Sequence, residues 1–452
     1  MGKPEYHVGL IGAGLGGLAA AIGIARAGHK VTIIEQAPML GEVSIYDLRH
    51  VQGTNRLQIG AGIQIPPNST RILKRWGLLE KLEAVSVRPH NFILRSYRDG
   101  KILSTQNMIP HCENTYEVPY LHIHRADYHK ILVEEAERVG VKIQLDSTVT
   151  KIDFENAEIH IKNKPTFSAD IIIGADGLKS VCREALLGRA DPPYLTGDLA
   201  YRITVPADVM AKDPMLKDLV EKPNINYWMG PDSHIVCYLL KGGSLYNIVI
   251  ACPDNLPPDL ASAKADLEEM HAMFEGWDPK LRAILKLTKD TSKWRLQNSR
   301  EMDSWAHPSG RFVLLGDSCH ATQPYLAQGA AQAVEDGAVL GHLMEKIERK
   351  NQLPDVLRIY ETIRKARTTR VVQGSQFLGR EIFHLHDGPK QQERDRQMLE
   401  EEPFEGFPNR WADPVFQPWL FGYDAAAEVE KAWKVYQAGK FPLTMGRFAP
   451  HL

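Results

Sequence analysis

Apolar positions along the chain change period in blocks. His7 to Ile11 alternates and is rich in β-formers, which predicts a strand. Leu15 to Ala27 is small and apolar throughout, which predicts a helix, and KVTIIE (Lys30–Glu35) predicts a second strand. Together they make a βαβ opening. Two further apolar strands, ADIIIGADG (Ala169–Gly177) and RFVLLGD (Arg311–Asp317), each end in Gly and Asp. That suits parallel strands delivering a polar group at their carboxyl ends. Between them, HIVCYLL (His234–Leu240) and LYNIVIAC (Leu245–Cys252) predict a mainly antiparallel sheet. After Gly329 the chain turns helical, and Pro354 suits the first turn of a second long helix. The tail is charged, then aromatic, with FQPWLFGYD (Phe416–Asp424) expected to pack on the body. The nucleotide-site pieces come from the start, middle and two-thirds point, so the domains interleave.

Composition narrows the class. The chain has 452 residues, 43% apolar and 24% charged, which reads as globular with room for two or three domains. A net charge of −2 argues against a nucleic-acid partner. The basic cluster Arg364, Lys365, Arg367 and Arg370 is interleaved with apolar residues and reads as a solvated helix face. Five cysteines without a CxxC pair suggest neither disulfides nor a metal site, which points to a reducing, cytoplasmic setting. Glycines break the apolar run from Val8, and no other stretch is long enough for a span, so no membrane partner is expected. Met1-Gly2 lacks the Ser or Thr that a myristoyl site would carry, since Tyr6 stands there.

Gly12-Ala13-Gly14-Leu15-Gly16-Gly17 matches GxGxxG between the first strand and helix. Gly12 permits the turn, Gly14 lets a pyrophosphate approach the helix N-terminus, and Gly17 allows close helix–strand packing. Glu35 ends the second strand 18 residues after Gly17, where a carboxylate accepts from ribose hydroxyls. This pattern predicts a dinucleotide site without separating FAD from NAD.

Three later segments separate them. GDSCHATQPYLAQGAAQAVEDG (Gly316–Gly337) resembles the second FAD motif of the flavin-dependent aromatic hydroxylases, the group A monooxygenases. GADGLKSVCR (Gly174–Arg183) resembles their DG motif, and HRADYHKIL, YRITVP, WMGPDSHIVCYLL, YETIRKAR and DGPKQQERD extend the likeness over nearly the whole chain. The branch it resembles most is salicylate-hydroxylase-like and common in fungi. The resemblance implies an α/β fold of p-hydroxybenzoate-hydroxylase type. A Rossmann-like FAD-binding domain (residues 1–85, 121–195 and 300–350) interleaves with a mainly antiparallel-sheet substrate domain (86–120 and 196–299), followed by a helical C-terminal segment (351–452). It implies FAD as cofactor, with NAD(P)H and O₂ as co-substrates and a small aromatic substrate. The expected chemistry is ring hydroxylation through a flavin C4a-hydroperoxide, by a monomer or homodimer.

By the same resemblance, Asp317 holds the ribityl or phosphate end of the flavin, and Gln328, Gly329 and Ala330 open a helix toward the ring's N1–C2 edge. Arg125 matches an FAD-contacting arginine. Asp176, Gly177 and Arg183 match a motif linked to flavin and nicotinamide, although Asp176 equally suits a structural cap. His234 and Tyr238 stand four apart on one strand and project to one face. In related hydroxybenzoate and hydroxynicotinate hydroxylases such a pair activates the phenol, and a near-neutral imidazole suits that proton. Arg202 matches an arginine lining the substrate side. His320 reads as structural, and His384–His386 as surface. Two rivals stay open: indole or alkaloid epoxidation by the same flavin chemistry, and a flavoprotein without turnover. A halogenase is disfavoured because no WxWxIP stretch occurs.

One feature departs from the family pattern. Joining Glu42 to Ile59 restores a continuous EQAPMLGE–IGAGIQIPPN, with Gly60, Ala61 and Gly62 expected beside the isoalloxazine. The intervening Val43–Gln58 reads as a loop extension, a lid or a retained intron. The last is favoured, because its codons accommodate donor, branch and acceptor signals in frame. Sequencing the transcript across Glu42–Ile59 decides it.

Overall fold

The computed structural model describes residues 3–41 and 62–442. Val43–Gln58, Gly60 and Ala61 lie outside these residues. The opening βαβ unit builds an all-parallel five-stranded sheet in the order Phe312–Leu314, Ile171–Gly174, His7–Ile11, Lys30–Ile34, Lys142–Gln144. His7–Ile11 sits at its centre, with every strand residue after His7 buried. That explains why these strands read as continuous apolar runs.

The helix Leu15–Arg26 is buried on most sides because it lies between this sheet and the helix Gly329–Glu345. Small residues let the two backbones approach. A Cβ added at Gly337 would sit 2.5 Å from the Ala20 nitrogen. Gly337→Ala is therefore expected to cost about 1–3 kcal/mol, the range for overpacking a tight contact. A lowered thermal midpoint with unchanged far-UV circular dichroism would check it.

The predicted antiparallel sheet has eight strands, in the order Ser262–Lys264, Ser292–Asn298, Tyr194–Pro206, Leu245–Pro253, Ser233–Leu240, Ile225–Gly230, Asn91–Ser96, Ile102–Asn107. Only Asn91–Ser96 runs parallel to its neighbour Ile225–Gly230. Strand alternation splits Ser233–Leu240 between two cores. Val236, Tyr238 and Leu240 face one apolar cluster, and Ile235, Cys237 and Leu239 face the other.

A two-stranded ribbon, Gly62–Ile65 with Leu121–His124, runs beside the first of these faces. Its register sets Gly62 opposite His124, immediately before the helix Arg125–Arg138. The second long helix is Leu353–Phe377, with Pro354 in its first turn, and it runs on into a π-helical turn, Leu378–Phe383. Phe416, Leu420 and Phe421 of the aromatic tail are buried against the body. All five cysteines are free and buried. No helix among the described residues is long and apolar enough to cross a membrane.

One expectation is overturned here. Arg364 and Arg367 do not form a solvated face; they are 0% and 6% exposed. Arg364 donates to Asp336 Oδ1 (2.7 Å) and Glu335 Oε2 (2.5 Å), and Arg367 grips Glu335 through both Nε (2.7 Å) and Nη2 (2.8 Å). Burial of four charges is tolerated because each is paired and hydrogen-bonded. Lys365 is half-buried, and Arg370 is exposed over the Trp419 ring.

Candidate active site

Gly12 sits at φ +105°, and an added Cβ would lie 2.5 Å from the Ala175 carbonyl oxygen. At Gly17 the added atom would lie 2.0 Å from the Gly12 carbonyl oxygen. Gly14 differs: among the described residues an added Cβ meets nothing within 4 Å, so they leave the space over the helix N-terminus open. That helix carries neither a capping side chain nor an acidic residue in its first turn. Its leading N–H groups and positive dipole end are thus left for an anion.

Glu35 folds back to this loop. Its Oε2 accepts from the Ala13 N–H (2.7 Å) and its Oε1 from the Ala37 N–H (2.8 Å). Each oxygen retains a lone pair for a further donor. His129, which the sequence reading passed over, donates from Nε2 to the Ala13 carbonyl (2.8 Å) and braces the loop from the opposite side. Its spacing from Arg125 was the available signal, since i and i+4 share a helix face.

The second cluster gathers at the junction of ribbon and large sheet. Arg125 is half-buried; burial pushes its pKa down and the Asp317 charge opposes that shift. Arg202 is exposed on the same side of the large sheet, over the Trp294 ring. Burial lowers its pKa, Arg125 lowers it further, and Tyr238 acts in the opposite sense. These guanidinium groups make no ion pair with an acid among the described residues. Their donors are thus left for a ligand that supplies acceptors.

Tyr238 is buried, with its hydroxyl 2.7 Å from where a Gly62 Cβ would stand. Its ring lies 4.3 Å from that of His122. Burial raises its pKa, and Arg202 and Gln64 act against the rise. Gln64, on the ribbon, also accepts from Tyr120 (2.6 Å).

Asp317 is exposed at the start of a short turn held from below. Asp336 Oδ2 accepts from the Gly316 N–H (2.9 Å) and from His320 Nε2 (2.6 Å), so His320 is a brace for this turn. Gly329 and Ala330 open the helix Gly329–Glu345, whose N-terminus again lacks a side-chain cap and an acid. Gln328 is buried before it, accepting from Asn68 and Gln332 (3.0 Å each).

Other residues have different roles. Asp176 caps the helix Val181–Leu187: Oδ1 accepts from the Ser180 hydroxyl and Oδ2 from the Cys182 N–H (3.0 Å). Each oxygen retains a lone pair, so the cap and the cofactor contact stay compatible. Arg183 is buried and committed to Asp191 (2.7 Å) and the Arg300 carbonyl. His234 and Tyr238 do share a face, but His234 packs among Tyr227, Tyr325 and Phe383. Its Nδ1 lies 2.7 Å from His384 Nε2. Burial and the neighbouring His384 hold its pKa well below the usual value, so it is neutral. His384 is consequently not the surface residue expected from the sequence, whereas His386 is exposed and meets Asp232 (2.9 Å).

The family model described as FAD binding domain matches residues 5–375. The chain belongs to this family. The FAD-dependent monooxygenase OpS4 of Beauveria bassiana (strain ARSEF 2860) is 41% identical over 95% of this chain and 98% of its own length. The 3-hydroxybenzoate 6-hydroxylase of Polaromonas naphthalenivorans (strain CJ2) is 31% identical over 93% and 96%. A salicylate hydroxylase solved as a substrate complex superposes with TM-score 0.75 at 22% identity, covering 94% of this chain and 97% of its own. The flavoprotein assigned by these matches is an FAD-dependent monooxygenase. The open cradle over Gly14, the two uncapped helix N-termini and the half-buried Arg125 suit FAD.

Proposed function

We propose that this monooxygenase hydroxylates a small, electron-rich aromatic ring carrying a hydroxyl group, with reduced nicotinamide and O₂ as co-substrates. FAD supplies the redox and oxygen-activating chemistry when bound. The Gly12–Gly17 loop and its helix N-terminus would take the pyrophosphate, Glu35 a ribose, and Asp317, Arg125 and the Gly329–Ala330 turn the flavin end. Gly62, at the start of the ribbon, would lie beside the flavin ring, and Gly60 and Ala61 join it by sequence alone.

The observation that carries the substrate assignment is the face of Ser233–Leu240. Tyr238 and His234 stand four residues apart with Val236 between them on the same face, and the register sets Arg202, two strands away, level with Val236. Four strand residues span about 13 Å. A benzene ring with two polar substituents and a hydrogen bond at each end spans roughly 12 Å, taking about 2.8 Å for each bond. A ring laid over Val236 would reach both residues. Arg202 would hold an anionic or carbonyl substituent, Tyr238 would donate to it, and neutral His234 would accept the ring-hydroxyl proton. The surrounding aromatic cluster would keep water from the reacting atoms.

NAD(P)H oxidation measured with panels of phenols and of indoles tests this. Phenols are expected to stimulate oxidation and to appear as hydroxylated products. Arg202→Met is expected to keep FAD and to lose about a hundredfold in kcat/KM, on the scale of one charged hydrogen bond of about 3 kcal/mol. Stimulation by indoles alone would contradict the assignment of His234 as a phenol base.

A further inference from the structure

His234 has a second partner that ring hydroxylation does not by itself require. The residue is 3% exposed, on a sheet face packed by Tyr227, Tyr325 and Phe383. Its Nδ1 lies 2.7 Å from Nε2 of His384, in the loop that leaves the π-helical turn Leu378–Phe383. His384 lines a polar cavity of about 240 Å³ that also touches Asp198, Asp232, Gln323, Tyr325 and Arg380. Asp232 and Arg380 are exposed, so the cavity reaches the surface. A buried imidazole is thus hydrogen-bonded to one that borders a polar, water-accessible space.

We propose that His234 and His384 form a two-imidazole proton relay that carries the substrate's ring-hydroxyl proton from the buried sheet face to water in this cavity. The proposal rests on the phenol reading of the same site. In the forward step the substrate O–H bond breaks and an N–H bond forms at His234 Nε2. The His234 Nδ1–H bond breaks as His384 Nε2 gains a proton. The other nitrogen of His384 then releases one to water. One proton leaves the substrate, one reaches the cavity, and both rings finish neutral with exchanged tautomers. The reverse hop, when the product oxygen regains a proton, resets them.

The charges around the relay favour this direction. Asp198 and Asp232 act on His384 and favour its protonated form against burial. Asp198 is held in place by the Tyr325 hydroxyl. The exposed cation of Arg380 stands across the same cavity, and His386 pairs with Asp232 at its rim. The remaining neighbours of His234, Tyr227 and Tyr325, have phenol groups whose pKa burial raises, so they stay neutral and do not compete for the proton.

The test uses the FAD-loaded enzyme with a phenol that stimulates the wild type. His384→Ala and His384→Gln are compared, with FAD content and thermal midpoint as the checks on folding. Both variants are expected to keep FAD and to lose about tenfold to a hundredfold in kcat, the scale of a lost proton-transfer group. Added imidazole is expected to restore several-fold activity to His384→Ala, where the vacated space admits it. It should not help His384→Gln or the wild type. An unchanged kcat in both variants overturns the relay, and so does a loss in His384→Ala that imidazole does not reverse. A wild type unresponsive to every phenol overturns instead the functional reading on which the relay stands.

Discussion

Arg364→Met is expected to lower stability by about 3–5 kcal/mol, the cost of removing one partner from a buried ion-pair network. Arg364 is wholly buried and bonds Asp336, Glu335 and Gln332 at once. Removing it leaves Asp336 with His320 and Glu335 with Arg367, each short of one cationic partner. The effect should extend to the flavin site. Asp336 also holds the Gly316 N–H, and Glu335 accepts from Asn68, whose amide reaches Gln328. The variant should therefore retain less FAD as well as melt earlier, and equilibrium denaturation alongside flavin absorbance reads both. A loss under about 1 kcal/mol would contradict this account of the network.

The same network sets a pH dependence. Burial pushes the Asp336 pKa up, but His320 and Arg364 outweigh it and hold the group at about 2, below its usual 3.8. A depressed folded-state pKa contributes stability above the unfolded-state value and loses it as pH falls through the folded one. Asp336 thus supports the fold fully above about pH 4 and progressively less toward pH 2. Arg364→Met should flatten that segment of the acid-unfolding curve.

Gly17→Ala is expected to yield protein nearly devoid of FAD. The added methyl would stand 2.0 Å from the Gly12 carbonyl oxygen, a backbone atom that cannot step aside without moving the phosphate loop. Gly12→Ala adds strain of about 1–3 kcal/mol at φ +105° to its own backbone clash. Both variants should bind under a tenth of the wild-type flavin. Gly28→Ala is the control: it also has a positive φ, at +92°, but an added Cβ there meets nothing within 4 Å. It should cost some stability and keep the flavin. Equal flavin loss in all three would mean that general destabilisation, not loop geometry, empties the site.

Much of the architecture was legible because its signals are local. The parallel strands are buried on both faces and read as unbroken apolar runs, and the glycine spacing marks a turn no other residue makes. The second FAD motif was legible only as a resemblance, since neither Asp317 nor Gly329 lies in a periodic pattern that marks a site.

What escaped the sequence reading depends on partners far along the chain. Arg364 and Arg367 look like a wet helix face until Glu335 and Asp336, on another helix, are brought against them. Hydropathy periodicity assigns any arginine to solvent, so a buried ion network inverts its reading. His384 was missed for the same reason, because its partner His234 lies 150 residues away.

The central claim is that this chain uses FAD to place one atom of dioxygen on an aromatic ring. Its most direct test supplies isotopically heavy dioxygen to the FAD-loaded enzyme with reduced nicotinamide and a stimulating phenol, and reads product mass. The account predicts one heavy oxygen atom in the new hydroxyl group. Product oxygen drawn from water, or reduced nicotinamide consumed by flavin-loaded enzyme with every aromatic returned unchanged, would contradict it.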